Sequence, residues 1–342
     1  MSNWYLQNGK ESDVVISTRV SLSRNIESFN FVNKCTKEDR NKIVNMIGDI
    51  VPEIGYGLKL FKLKDMDLIT KKSLVEKNVI TPEFAMKGAD GYAILINNEE
   101  NICIMINEED HLTIQVFSEG LEINTTLALA VEIDKKLGKL VKYAYSSKYG
   151  YLTACPTNVG TAARISTMVH LPGLTETGNL SKFLVLASNF GMNIRGAYGE
   201  GTESEGAVYQ ISNNQTLGLT EEEIAKSIKT ITDKIISQER EARNSLGKAG
   251  LKFENKLYRS YGLLTCSKML SSEDCKELLS DVKLGTDMGI IKELDDSKIK
   301  KLWLYTKSAN LQKYFGQEYE KEEIEIKRTE LIKAIIEGKE NK

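Results

Sequence analysis

Asn107-Glu108-Glu109-Asp110-His111 stands directly after the apolar run Ile102-Cys103-Ile104-Met105-Ile106. A strand that delivers three carboxylates at its end gathers negative charge that must be solvated, paired or chemically employed. Repulsion among adjacent carboxylates raises at least one pKa unless cations compensate. Such a cluster suits binding a cation and withdrawing a proton from it; a solvated acidic turn is the plain alternative. Three other segments bear on the choice. Ser17-Thr18-Arg19-Val20-Ser21 places an arginine in a β-branched stretch. Cys155-Pro156-Thr157-Asn158-Val159-Gly160-Thr161, followed by Arg164, joins a cysteine loop to a second arginine. Arg195-Gly196-Ala197-Tyr198-Gly199-Glu200-Gly201 sets a third arginine, a tyrosine and a carboxylate among small residues. Planar guanidinium forks from three strands could converge on phosphates through charge-assisted bonds, and glycines let a backbone approach a ligand closely. Singly, a strand arginine can be an ion-paired surface residue, a buried cysteine mere packing, and the glycine turn a hairpin. Together they are far more specific.

These residues need elements to hold them. Residues 13–21 read as a strand followed by the basic Arg24. Residues 36–50 read as a helix, with Thr36 as N-cap and Ile43, Met46, Ile47 and Ile50 at helical spacing. Residues 92–96 and 102–106 flank a turn-like polar stretch and suggest a hairpin; residues 111–117 alternate as a third strand. A helix over 122–137 is expected to stop at Gly138. Residues 149–163 lack periodicity and read as a loop, 164–171 as a strand, and 180–190 as a helix stopped by Gly191. Residues 193–198 and 207–212 read as strands around the glycine turn, and 221–246 as a long helix capped by Thr220. Beyond Gly250 only helical segments follow. The expectation is an α+β fold: an antiparallel sheet flanked by helices over residues 1–248, then a small helical domain over 249–342, with the boundary near 247–252.

The chain has 342 residues, 41% hydrophobic and 27% charged, with a net charge of -2. That is ordinary globular composition, and its charge gives no sign of a nucleic-acid or membrane-surface binder. Cys35, Cys103, Cys155, Cys266 and Cys275 are an odd set without CxxC spacing, which favours reduced thiols over a disulfide framework or zinc site. No metal site of the chain's own is expected. Residues 1–10 do not read as a signal peptide, and no apolar run approaches the ~20 residues of a membrane span. A cytoplasmic protein is expected.

STRV at 17–20, NEEDHL at 107–112, CPTNVGT at 155–161 and the RG–GE segment at 195–200 closely resemble the phosphagen (guanidino) kinase family. CPTNVGTAARISTMVHLPGL and RGAYGEG resemble its protein-arginine kinases of the McsB type. The first catalytic strand also lies near the start of the chain, without the long helical domain that closes over small substrates in creatine and arginine kinases. The resemblance spans about residues 13–245 and continues weakly into the helical tail. It implies a phosphagen-kinase-like catalytic domain and ATP- and Mg2+-dependent phosphorylation of arginine guanidinium groups in proteins. A guanidinium, with a pKa above ~12, is a poor nucleophile until a proton is withdrawn and it is held in line with the γ-phosphate; carboxylates do both. By resemblance Glu109 is the base, Glu200 orients the acceptor, and Cys155, as a thiolate, adds negative charge beside it. Ser17, Thr18, Arg19, Val20 and Ser21, then Arg164, Ile165, Ser166, Thr167 and Met168, then Arg195, Gly196, Ala197, Tyr198, Gly199 and Glu200 match the nucleotide-binding segments. The resemblance also implies a link to Clp-type protein degradation and stress response, an activating adaptor, a heat-shock repressor among the substrates, and a homodimer formed through the helical domain.

The chain departs from the family at telling positions. The first strand normally runs RxR, but the second arginine is replaced by Ser21; NEEDHL is normally followed by arginine, but Thr113 stands there; a nucleotide-contacting histidine aligns near Asn78. Losing one preorganised donor costs ~10²–10³ in rate, unless Arg24 or a lysine moves in. The tail's RDxxRA motif, which senses phosphoarginine in the family, is reduced to Arg328 and one acid within residues 324–329, so residues 318–333 read as an amphipathic helix with a solvated charged face. Two other readings follow: a degenerate kinase that still binds arginine-bearing proteins, and a small-guanidine phosphagen kinase.

Overall fold

The computed structural model describes residues 4–196 and 204–340. In chain order its strands and helices are β1 (Val15–Arg24), α1 (Lys37–Ile54), β2 (Lys59–Lys62), α2 (Leu68–Glu76), α3 (Pro82–Ala85), β3 (Ala93–Ile96), β4 (Ile102–Ile106), β5 (Leu112–Glu119) and α4 (Ile123–Leu140). There follow β6 (Tyr145–Ser146), β7 (Gly150–Tyr151), β8 (Ala163–His170), α5 (Pro172–Glu176), α6 (Leu180–Asn189), β9 (Met192–Gly196), β10 (Val208–Asn213) and α7 (Glu221–Gly247). Helices α8 (Leu251–Cys266), α9 (Ser272–Asp287), α10 (Asp296–Tyr305), α11 (Ser308–Phe315) and α12 (Lys321–Glu337) complete it.

Eight strands form one sheet in the order β2-β3-β4-β5-β1-β8-β10-β9, and every neighbouring pair is antiparallel. The α+β expectation therefore holds. Alternation along the strands sorts side chains onto two faces. Val20 and Leu22 of β1, Ile114 and Val116 of β5, Ile165 of β8 and Ile211 of β10 are fully buried beneath α1, α4 and α7. On the opposite face a smaller cluster, built on Leu63, Leu74, Val79 and Phe84, covers β3, β4 and the end of β5 only. Beside it the face of β1, β8 and β10 stays partly open.

Helices α8 to α12 carry a core of their own around Leu257, Leu264, Val282, Leu302, Leu311 and Ile332. They are tied to the sheet region through polar bonds: the half-buried Glu76 carboxylate accepts from the backbone N–H groups of Ala309 and Asn310, both at 2.8 Å, and buried His170 Nε2 lies 2.8 Å from Ser280 Oγ.

Several sequence readings need correction. The first strand runs three residues further and includes Arg24. Gly138 does not end its helix, which continues to Leu140; a Cβ there would meet the Tyr143 ring at 3.3 Å, so close ring packing is what the small residue permits. Residues 149–163 contain strand β7 and a 3-10 turn at Pro156–Asn158. Helix α12 does not simply present its charges to solvent. Arg328 is 1% exposed, donating Nε–H to Thr306 O (2.8 Å), Nη2–H to Ser308 Oγ (3.0 Å) and Nη1–H to Leu270 O. It holds two inter-helix connections to α12.

Candidate active site

The register of the open face arranges its side chains in rows across the strands. One row carries Glu119, Ser17, Met168, Gln210 and Arg195; the next Phe117, Arg19 and Ser166; the third Gln115, Ser21 and Arg164; the last Thr113 and Ser23. Residues of the same strands with the other parity point away. Thr18 donates its hydroxyl to Gly120 O (2.7 Å), Val20 and Ile165 are core residues, and the Thr167 hydroxyl lies 3.1 Å from that of Thr232 on α7. Alternation thus narrows the expected nucleotide segments to Ser17, Arg19, Ser21, Arg164, Ser166, Met168 and Arg195. Ala197, Tyr198, Gly199 and Glu200 lie outside the described residues.

Arg19 and Arg164 sit diagonally on neighbouring strands. No carboxylate among the described residues pairs with Arg19, and burial together with Arg164 pushes its guanidinium down to about 10. A desolvated Arg19 beside a second cation, with no carboxylate of its own among the described residues, leaves a site that an anion would complete. Arg195 is exposed on the same face.

The acidic loop lies beyond the Thr113 row. Asn107 takes a left-handed conformation (φ 64°), which its short polar side chain tolerates. Its backbone N–H donates to His111 O at 2.9 Å, and its side chain donates to Gly91 O at 2.8 Å and Arg40 O at 3.1 Å. Asp110, fully buried, accepts from Asn25 Nδ2 (2.6 Å) and from the Ala154 N–H (2.7 Å). Asn25 in turn donates to Leu152 O (3.0 Å) and accepts from the His111 N–H (3.0 Å). This buried network binds the acidic loop to the cysteine loop. His111 Nδ1 accepts from the Ile26 N–H at 3.0 Å, leaving Nε2 to donate to Asn30 O at 2.8 Å; burial lowers its pKa and keeps it neutral. Glu109 is exposed at the tip. Desolvation, then Asp110 and Glu108, raise its pKa, while Arg164 opposes the rise. Glu108 is held by the Thr81 hydroxyl (2.9 Å) and accepts from the Glu109 N–H (2.7 Å). Cys155 is half-buried, with Sγ 3.0 Å from Thr157 Oγ1. Its loop is pinned at Gly160 (φ 118°), where a Cβ would lie 2.4 Å from Thr216 O.

Arg24 does not take the place of a missing arginine. It lies 1% exposed on the core side, donating to Asp134 through Nε (3.0 Å) and Nη2 (2.7 Å), with its guanidinium 3.5 Å from the Tyr151 ring centre. Lys77, also near the open face, is paired with Glu100 at 2.6 Å.

A cavity of about 110 Å³ opens over the first two rows. Beyond Ser17, Arg19, Phe117, Glu119 and Met168 of the sheet, Trp4, Asn78, Ile299, Lys300 and Trp303 line it. Asn78 carries the sequence signal noted above. Trp4 and Trp303 carried none, since they reach the site from the two ends of the chain.

A profile for the ATP:guanido phosphotransferase C-terminal catalytic domain matches residues 40–242, and one for the protein-arginine kinase McsB C-terminal domain matches residues 250–342. The protein-arginine kinase of Halothermothrix orenii is 42% identical over 338 residues, 98% of this chain and 97% of that protein. The chain belongs to the protein-arginine kinase family. A second family member, the protein-arginine kinase of Geobacillus sp. (strain WCH70), is 39% identical over 100% of this chain and 96% of its own length. Among solved structures, the substrate-free duplicated taurocyamine kinase of Schistosoma mansoni matches with a TM-score of 0.61 at 25% identity, over 76% of this chain and 40% of that one. A lombricine kinase matches with a TM-score of 0.58 at 25% identity over 67% of each chain. The family sheet is thus the sheet described above. Among the described residues no helix is long and apolar enough to cross a membrane.

Proposed function

We propose that this protein transfers the γ-phosphoryl group of ATP to a guanidinium nitrogen of arginine residues in proteins. The observation that carries the reading is the order of chemistry along β1. From the Glu119–Ser17 row, beneath the cavity, six residues lead to the Thr113–Ser23 row beside the acidic loop, about 20 Å at strand rise. Between them lie Arg19, which no carboxylate among the described residues pairs with, and Arg164, whose Nη2 reaches Asn158 Oδ1 at 3.5 Å. A nucleotide laid along this line has its base in the cavity, its phosphates on the arginines and its γ-phosphate toward Glu109. There Glu109 takes a proton from the acceptor guanidinium, the freed nitrogen lone pair attacks phosphorus, and the bond to the β–γ bridging oxygen breaks, leaving ADP. A raised pKa makes Glu109 a stronger base, and the arginines stabilise charge on the phosphoryl oxygens in flight. Cys155 and Glu200 belong to the acceptor side in this reading. Among the described residues no cluster of three acidic, His or Cys side chains is arranged to hold a metal. Mg2+, which phosphate oxygens and water satisfy, would arrive on the nucleotide and neutralise phosphate charge.

The test is transfer of γ-³²P from ATP to an unfolded arginine-rich protein, with Glu109→Gln as control. Acid-labile label that the control lacks supports the reading. A second reading rests on Ser21 and Thr113: neither Arg24, paired with Asp134, nor Lys77, paired with Glu100, replaces the arginines missing there, which favours a degenerate kinase that binds without turnover. Arginine-rich protein bound by a folded chain that transfers no label would decide for it. Free arginine as acceptor tests the small-guanidine alternative.

The same reading extends to the setting. We place the catalytic domain at residues 1–248 and the helical domain at 249–342, supported by their separate cores. Homodimerisation through the latter is supported by exposed Leu251, Tyr258 and Leu263 on α8. Action in the cytoplasm, an activating adaptor, a Clp-type protease downstream and a heat-shock repressor among the substrates rest on family resemblance. Co-purification with such partners from stressed cells tests them.

A further inference from the structure

We propose that the helical domain forms half of the nucleotide-base site, with Trp303 of α10 as the side chain that positions the purine. The inference rests on the reading of the open face as a nucleotide site. The strand register places the phosphate-binding arginines in the second and third rows, so a nucleotide directed at Glu109 must carry its base over the first row and under whatever roofs it. The roof is α10: its Ile299 and Trp303 line the cavity together with Phe117 and Met168 of the sheet. Trp303 is held at its inner edge by His170, whose ring lies 5.5 Å away and nearly perpendicular. The rim of α10 is clamped to the sheet by Lys300, which pairs with buried Glu119 and with Asp296. A cavity of about 110 Å³ lined by aromatic and aliphatic side chains, with the Lys300 ion pairs among its lining, suits a planar heteroaromatic base. Its lysines are already paired, Lys77 with Glu100, Lys283 with Asp287 and Lys300 with Glu119 and Asp296, so a bare polyphosphate is left with Arg19 at the edge of the cavity and Arg164 in the next row. Both tryptophans of the chain, Trp4 and Trp303, line this one cavity.

The separation of base and phosphate subsites makes the test specific. Isothermal titration of the full chain compares ADP with inorganic tripolyphosphate. Trp303→Leu is expected to weaken ADP about tenfold, the scale of one lost base–aromatic contact, while tripolyphosphate binding is unchanged; Arg19→Ala weakens both. Equal weakening of both ligands by Trp303→Leu, or no weakening of ADP, would overturn the proposal. A second measurement does not rely on that variant folding. In Trp4→Phe, where Trp303 is the sole tryptophan, ADP is expected to change the emission and tripolyphosphate to leave it unaltered; the same response to both ligands would also overturn it. A wild-type chain that binds neither ligand would instead sink the nucleotide reading itself.

Discussion

Replacing Ser21 by arginine tests the phosphate face most directly. Ser21 lies opposite Arg164 on one neighbouring strand and Gln115 on the other, so a new guanidinium there joins Arg164 in the third row, one row short of the Thr113 row beside the acidic loop. Cross-strand Cβ atoms stand about 5 Å apart. Two unit charges about 6 Å apart repel by roughly 3 kcal/mol at an effective dielectric near 20, and flexible, half-solvated heads reduce this to about 1–2. Arg19 already shows such strain, its guanidinium pushed down by burial and Arg164. The nucleotide-free variant is therefore expected to lose several degrees in Tm, at roughly 2–4 °C per kcal/mol. Binding ADP reverses the sign, because a polyphosphate between three guanidiniums turns repulsion into charge-assisted bonds.

The catalytic consequence is larger. One preorganised donor at a developing charge is worth ~10²–10³ in rate, so Ser21→Arg should raise phosphoryl transfer about a hundredfold. Adding Thr113→Arg, opposite Ser23 in the next row, should raise it further. The assay is initial-rate γ-³²P transfer to arginine-rich protein, paired with melts at several ADP concentrations. An unchanged rate, together with a Tm loss that ADP does not diminish, would refute the assignment of this face to phosphate.

Three other outcomes follow from the same geometry. Because desolvation, Asp110 and Glu108 raise the Glu109 pKa, transfer should fall as pH drops through that raised value, and Glu108→Gln should move the acid limb of kcat/KM to lower pH; a limb that stays put would exclude Glu109 as the base. The fold favours protonated Glu109, so Glu109→Gln should raise Tm at neutral pH, the gain vanishing in melts run below the ordinary carboxylate range. Arg328→Met leaves the Thr306 and Leu270 carbonyls and the Ser308 hydroxyl without their donor, and at ~1–3 kcal/mol for each unsatisfied buried group should cost roughly 3–5 kcal/mol in urea unfolding; a loss below ~1 would mean that water replaces the guanidinium.

How legible was all this in the chain? The strands around the site were, because period-two alternation and apolar runs are local signals: β3, β4, β5 and β8 lie within a few residues of where the pattern puts them. Caps were legible for the same reason, as at Thr36, which accepts from the Asp39 N–H, and Thr220, which forms a capping box with Glu223. The acidic loop and the arginine strands were legible as chemistry. Signals set by distant contacts were not. Gly138 looks like a stop, yet its smallness serves the Tyr143 ring. Arg328 looks like one charge on a solvated face, yet its burial depends on connections that end 22 and 58 residues away. Arg24 looked available as a phosphate ligand until β1 extended through it and parity turned it toward Asp134. Trp303 has no local mark of a ligand contact at all, because the cavity exists only once α10 meets the sheet.

The two ends of the site stand in opposite relation to folding. On the acceptor side, Asp110 Oδ1, Asn25 and the His111 backbone are bonded to one another and to the Ala154 and Leu152 backbone in a buried network, so the residues that aim Glu109 and Cys155 also hold the fold together. Losing them would leave buried donors and acceptors unpaired. The phosphate face is the reverse. Arg19 and Arg164 are close cations, Arg19 without a carboxylate partner among the described residues, and each further arginine adds repulsion that a bound anion relieves. Replacing arginine by serine or threonine at positions 21 and 113 therefore relieves the free protein while weakening its hold on the transition state, the usual opposition between stability and activity. The acceptor loop would keep its shape in an active or an inactive chain, so its integrity does not discriminate between the two readings. The decision rests on the phosphate face, where fold stability and catalysis make opposite demands on residues 21 and 113.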